Sequence, residues 1–232
     1  MSKETKALTI NPQLAAFQEK LLKSYDKANL SAKKGQTLFV GSSLMEIFPI
    51  EKWEEAGEVT FSHYIYNRAV RATTTSFLLE HMESQIFNLE PSKIFINIGT
   101  NDIGFEIPED EFLNNYDQIL SQIESKLPQT QVYVMRYYPI NTVDFGQDSD
   151  EKTLFETRSN EKFQKASDKI KKLADNHHFH FIDVNDGLSD ENGNLKKELT
   201  FDGAHLNPAG YQLVLENLKV YLEEQKIIQD EK

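Results

Sequence analysis

Four short runs of β-branched and aromatic residues recur along the chain, and segments of helical period stand between them. The runs are TLFVG at 37–41, KIFINIG at 93–99, QVYVMRYY at 131–138 and FHFIDV at 179–184, with a weaker fifth, TFSHYIYNR, at 60–68. Apolar runs this short, closed by Gly or Pro, read as strands that are buried on both faces. Between them, Phe112, Tyr116, Ile119, Leu120, Ile123 and Leu127 fall in steps of three and four, and Pro108 followed by Glu109, Asp110 and Glu111 suits a helix start. Phe155, Phe163, Ala166, Ile170 and Leu173 make a less regular stripe. Tyr211, Val214, Leu215, Leu218 and Leu222 make a C-terminal one begun at Asn207-Pro208. Strands that alternate with helices predict βαβ units and a parallel sheet covered on both faces.

Ahead of the first strand, Leu14, Phe17, Leu21, Tyr25 and Ala28 mark one face of a helix over 12–31, whose other face is Lys, Glu and Gln. This is a surface helix, and packing on its own domain is favoured over a homodimer contact. The one long irregular segment, NTVDFGQDSDEK at 141–152, follows a strand and should overhang the sheet's carboxyl edge, where open α/β sheets bind ligands.

Charge and cysteine content remove several function classes. The 232 residues carry 25 Lys and Arg against 37 Asp and Glu, a net charge of −12. So acidic a chain has no electrostatic footing on nucleic acid or anionic lipid. With no cysteine there is no disulfide, thiolate nucleophile or Cys-ligated metal. No apolar stretch approaches the ~18 residues of a membrane span. The opening MSKETKALTINPQ lacks an apolar core and a small-residue cleavage site, so the expected location is cytoplasmic.

GxxxxGK[ST], GxGxxG and HExxH are all absent, and with them the expectation of a nucleotide or zincin site. The run His177-His178-Phe179-His180 has no carboxylate or Cys at ligand spacing and reads as structural or solvated; no metal is expected. What remains is a set of small polar residues, each just past a strand. Gly41-Ser42-Ser43-Leu44 puts a hydroxyl at a tight strand-to-helix turn. Gly99-Thr100-Asn101-Asp102 puts an amide at the same edge. In Asp202-Gly203-Ala204-His205 the spacing lets the carboxylate fold back onto the imidazole Nδ1. That bond fixes the tautomer in which Nε2 can take a proton from a hydroxyl.

These motifs resemble the blocks of the SGNH (GDSL-type) hydrolase superfamily, and within it the bacterial proteins similar to platelet-activating-factor acetylhydrolase. The resemblance runs from about Thr37 to Leu218. Gly41 to Leu44 resembles the G-D-S-L block, which makes Ser43 the nucleophile. Asn67 to Thr74 resembles N-x-G-x-x-G-x-T. Gly99 to Asp102 matches G-x-N-D in full, and Asp202 with His205 matches D-x-x-H. The resemblance implies a single hydrolase domain over 1–232, with a helical extension at 1–35 and the catalytic core at 36–228. It implies a three-layer α/β/α sandwich, flavodoxin-like, with a five-stranded parallel sheet in the order 2-1-3-4-5. The implied chemistry is hydrolysis of small acyl esters through an acyl-enzyme, without cofactor. Ser43, His205 and Asp202 form the triad, and the N–H of Ser43, the N–H of Ala72 and the amide of Asn101 form the oxyanion hole.

Two positions depart from the family pattern. Ser42 replaces the usual Asp; alternation along the turn favours Ser43 over it as nucleophile. Ala72 stands where the family has glycine. It keeps the N–H, but if the position requires φ > 0 it costs roughly 1–2 kcal/mol. Asn67 is expected to brace this block, Asp102 to cap a turn, and Arg71 to reach solvent rather than a substrate anion. Phe105, Tyr137, Tyr138 and Phe145 follow strands on the active edge and are candidates for the acyl pocket. Rival readings are a carbohydrate O-acetyl deacetylase, a thioesterase, and an inactive binding module of the same fold.

Overall fold

The computed structural model describes residues 11–146 and 154–223. The first ten residues of the opening stretch read for a targeting signal, the 147–152 part of the irregular segment, and the last residues assigned to the core lie outside the described residues. Five parallel strands, β1 (Thr37–Gly41), β2 (Ile65–Asn67), β3 (Lys93–Asn97), β4 (Gln131–Met135) and β5 (His180–Ile182), form one sheet in the order β2-β1-β3-β4-β5. The edge strands are the shortest, three residues each, so the runs at 60–68 and 179–184 pair over only part of their length.

Period-two alternation sends successive side chains to opposite faces. Leu38, Val40, Ile94, Ile96, Val132 and Val134 point to one core, shared with α4 (Thr75–Glu80), α5 (Met82–Gln85), α7 (Glu109–Lys126) and α8 (Asn160–Asn176). Phe39, Phe95, Met135 and Ile182 point to the other, shared with α2 (Ser43–Glu46), α3 (Ile50–Glu55) and α9 (Pro208–Leu222). The result is a three-layer α/β/α sandwich. The short α6 (Thr100–Gly104) follows β3 directly.

Local signals set the helix ends. Ser159 caps α8 by accepting from Lys162 N, and Asn207 caps α9 by accepting from Gly210 N, with Pro208 at the first helical position. The stripe proposed from Phe155 therefore starts later, at Asn160, because the cap lies between them.

The N-terminal helix α1 (Pro12–Asn29) packs on its own domain, beside α5 and the turn at Phe87–Leu89. Its Asn29 amide donates to Ser84 O at 2.7 Å. Among the described residues, no helix is long and apolar enough to cross a membrane.

Candidate active site

At the carboxyl edge, β1 ends in Gly41, and the close approach of β3 explains that glycine: a Cβ there would lie 2.1 Å from Asn97 O. The turn hands the chain to α2, whose first residue is Ser43. Ser43 Oγ lies 2.9 Å from His205 Nε2, and His205 Nδ1 lies 2.6 Å from Asp202 Oδ2. The second carboxylate oxygen of Asp202 accepts from the N–H groups of Ala204, at 2.9 Å, and His205, at 2.7 Å. Burial alone would raise the Asp202 pKa, but the hydrogen bond from His205 and the two N–H donors outweigh it and hold the carboxyl below its ordinary value. Ser42 is buried, so of the two adjacent serines only Ser43 meets the imidazole. The ring of Phe201 lies nearly parallel to that of His205, at 5.7 Å between centroids.

The second block forms a loop gripped from every side. Asn67 Nδ2 donates to Met45 O at 2.6 Å, and its Oδ1 accepts from Ala69 N at 3.1 Å. From α1, Tyr25 Oη donates to Ala69 O and Gln18 Nε2 to Arg71 O. The Arg71 guanidinium makes two bonds to Glu46, at 2.8 and 2.9 Å, and lies over the Phe17 ring. This arginine, at the rim of the cleft, is thus held by Glu46 rather than simply solvated. Within the loop Ala72 has φ = +57°, the left-handed conformation that glycine adopts without cost. A non-glycine residue persists there when its surroundings over-determine the backbone, as these do.

Asn101, on α6, donates from Nδ2 to Thr73 O at 2.9 Å, and its Oδ1 accepts from Arg158 Nη2 at 3.1 Å. Its neighbour Asp102 accepts from both N and Oγ1 of Thr75, the first residue of α4. Burial pushes the Asp102 carboxyl up to about 6, against the lowering effect of the Thr75 donors. The two loops are therefore stitched together at Thr73 and Thr75. The N–H groups of Ser43 and Ala72 make no hydrogen bond to the described residues.

Ser43, Ala72, Asn101, Asp202 and His205 all line one cleft of about 380 Å³. Its apolar wall comes from Leu44, Ile47, Tyr138, Ile140, Leu154 and Phe163. Of the four aromatic candidates from the sequence, only Tyr138 lines this cleft. Tyr137 turns to the opposite face of the sheet, where its hydroxyl donates to Ile98 O at 2.7 Å. Phe105 is buried under Arg158, and Phe145 lies against Gly203. The other three thus lie outside the lining of this cleft, because position after a strand does not decide where a side chain turns. Arg158, Thr75 and Tyr25 belong to no sequence motif, and periodicity alone marks only Tyr25, as a core-facing residue.

A hydroxyl, an imidazole and a carboxylate joined in that order at the carboxyl edge of a parallel sheet are the arrangement a serine hydrolase requires. The chain belongs to the GDSL-like Lipase/Acylhydrolase family, whose model matches residues 39–213. Among solved structures it is similar to one from Streptococcus pneumoniae described as a platelet activating factor. There the identity is 33%, the TM-score 0.81, and the match covers 95% of this chain and 100% of that one. An acylhydrolase from Bacteroides fragilis (19% identity, TM-score 0.69, 87% and 95% covered) shares the fold. So does a GDSL-like lipase from Bacteroides thetaiotaomicron (18%, 0.69, 87% and 96%). Comparison with the curated proteins gave no match. The protein is a carboxylic ester hydrolase of this family.

Proposed function

We propose that the protein hydrolyses short-chain acyl esters, with Ser43 as nucleophile, His205 as general base and acid, and Asp202 as the group that orients the imidazole. The observation that carries this reading is the continuous run of hydrogen bonds from Ser43 Oγ through His205 to Asp202. Ser43 Oγ attacks the ester carbonyl as its proton passes to His205 Nε2. The tetrahedral oxyanion is held by the N–H of Ser43, the N–H of Ala72 and Asn101 Nδ2–H. The C–O bond to the alcohol then breaks, and His205 returns the proton to the leaving alkoxide. A water molecule, deprotonated by His205, attacks the acyl-enzyme and releases the acid with Ser43 restored. Asp202 stabilises the imidazolium formed in both halves, and the apolar wall takes the acyl group.

A fluorophosphonate probe tests the assignment. It should label the wild type and Ser42→Ala on Ser43, and leave Ser43→Ala unlabelled. Labelling that persists in Ser43→Ala but disappears in Ser42→Ala reverses the roles of the two serines. A panel of p-nitrophenyl esters from acetyl to octanoyl, read beside acetylated sugars and acyl-CoA, tests the substrate. A maximum among the short esters is expected; turnover confined to sugars or thioesters moves the same chemistry to those substrates.

A further inference from the structure

We propose that Arg158 is a positioning residue of the oxyanion hole, holding the Asn101 amide in the one orientation that offers an N–H to the reacting carbonyl. This rests on the reading of Asn101 as an oxyanion donor.

A guanidinium only donates, whereas an amide has an accepting end and a donating end. With Arg158 Nη2 at 3.1 Å from Asn101 Oδ1, the oxygen must face the arginine. The NH2 group then faces the other way, and one of its two hydrogens goes to Thr73 O at 2.9 Å. The second hydrogen is left for the cleft that Asn101 shares with Ser43 and His205. Rotating the amide by half a turn would set its NH2 against the guanidinium and its oxygen against the Thr73 carbonyl. Both hydrogen bonds would be lost, and a carbonyl oxygen would be presented to a developing oxyanion. The cation also polarises the amide it touches, which strengthens the remaining N–H as a donor.

Arg158 is itself fixed. It is 6% exposed, its Nη1 donates to Leu154 O at 2.9 Å, and its guanidinium lies 5.9 Å from the centroid of the Phe105 ring. Thr157 Oγ1 ties the same segment to Gly104 O at 2.7 Å. Gly104 provides the space: a Cβ there would fall 2.0 Å from Arg158 Cζ. The segment before α8 and the α6 turn are therefore shaped around this one side chain.

The test is a kinetic double-mutant cycle on p-nitrophenyl acetate, using wild type, Arg158→Met, Asn101→Ala and the double variant, with Arg158→Lys beside them. Asn101→Ala should lower kcat about 10²–10³-fold. Arg158→Met should lower kcat about tenfold or more, with KM little changed, and should have almost no further effect once Asn101 is alanine. Arg158→Lys should recover part of the loss. A full kcat in Arg158→Met, or losses that multiply in the double variant, would overturn the proposal. A full kcat in Asn101→Ala would instead remove the oxyanion reading beneath it, so the two failures are told apart. Where Arg158→Met does not fold, Gly104→Ala in the same cycle reads the same coupling, because its methyl displaces the guanidinium without deleting it.

Discussion

Tyr25, on the N-terminal helix, donates its hydroxyl to the carbonyl oxygen of Ala69 at 2.7 Å, three residues before the strained Ala72. With Gln18 Nε2 on Arg71 O at 2.9 Å, it makes α1 a brace for the loop proposed to supply an oxyanion donor. Tyr25→Phe keeps the ring between its neighbours and deletes one hydrogen bond, so it should cost about 1 kcal/mol of stability. Combined with Gln18→Ala it should lower kcat several-fold, because the loop loses both of these hydrogen bonds to α1. Denaturant midpoints and p-nitrophenyl acetate turnover measure the two effects. An unchanged kcat in the double variant would show that the loop holds its shape without these two bonds.

Ala72 gives the second test. At φ = +57° its methyl carries a strain of roughly 1–2 kcal/mol, which glycine removes. Glycine also frees the unfolded chain, which returns about 0.4–1 kcal/mol of that gain. Ala72→Gly should therefore be neutral to stabilising, by up to about 1.6 kcal/mol, with esterase activity kept. Ala72→Val, branched at Cβ, should lose both stability and rate. Urea unfolding of the pair decides the point; a clearly destabilised Ala72→Gly would mean that the left-handed backbone carries no penalty here.

The difference between what could be read in the sequence and what could not follows from the physics of each element. Central strands such as 93–97 were legible because burial on both faces forces continuous apolar runs. The edge strands pair over less than their apolar runs, since nothing in composition marks where pairing stops. Ser43, Asn101, Asp202 and His205 stood out because their chemistry is concentrated in local motifs. Arg158 meets Asn101 across 57 positions of chain, and Tyr25 meets Ala69 across 44, so neither partnership leaves a local pattern. Tyr137 and Tyr138 illustrate a finer limit. They are adjacent in sequence yet enter opposite cores, and which of the two reaches the cleft depends on strand register that composition does not encode.

Asp102 should leave a signature in acid. Its carboxyl is buried and titrates near 6, above the ordinary aspartate value. The folded state therefore binds this proton more tightly than the unfolded state, and the group's contribution is largest at low pH and is lost as pH rises from about 4 towards 6. Asp102→Asn keeps an oxygen for Thr75 but does not titrate. The stability difference, wild type minus variant, should thus shrink between pH 4.5 and pH 7. Urea midpoints at the two pH values measure it, and a difference that grows with pH would contradict the assignment.

His177 should act in the opposite range. Its two ring nitrogens lie 2.8 Å from Glu124 and 3.0 Å from Asp117, joining the end of α8 to α7. Burial lowers its pKa, but the hydrogen bonds it donates to these two carboxylates, with their charges, prevail and raise it above the ordinary histidine value. A group whose folded pKa is raised stabilises fully below its unfolded pKa, near 6.5, and the contribution fades as pH climbs through the folded value. Wild type should thus lose stability on this account above about pH 6.5. His177→Gln, which carries no charge, should show a flatter profile over the same window and a lower stability below it. Both carboxylates are about half exposed, so the effect should stay within about 1 kcal/mol and weaken in high salt. Thermal unfolding of the two proteins from pH 5.5 to 8.5 measures the slopes; parallel profiles would mean that the imidazole stays neutral between the two helices.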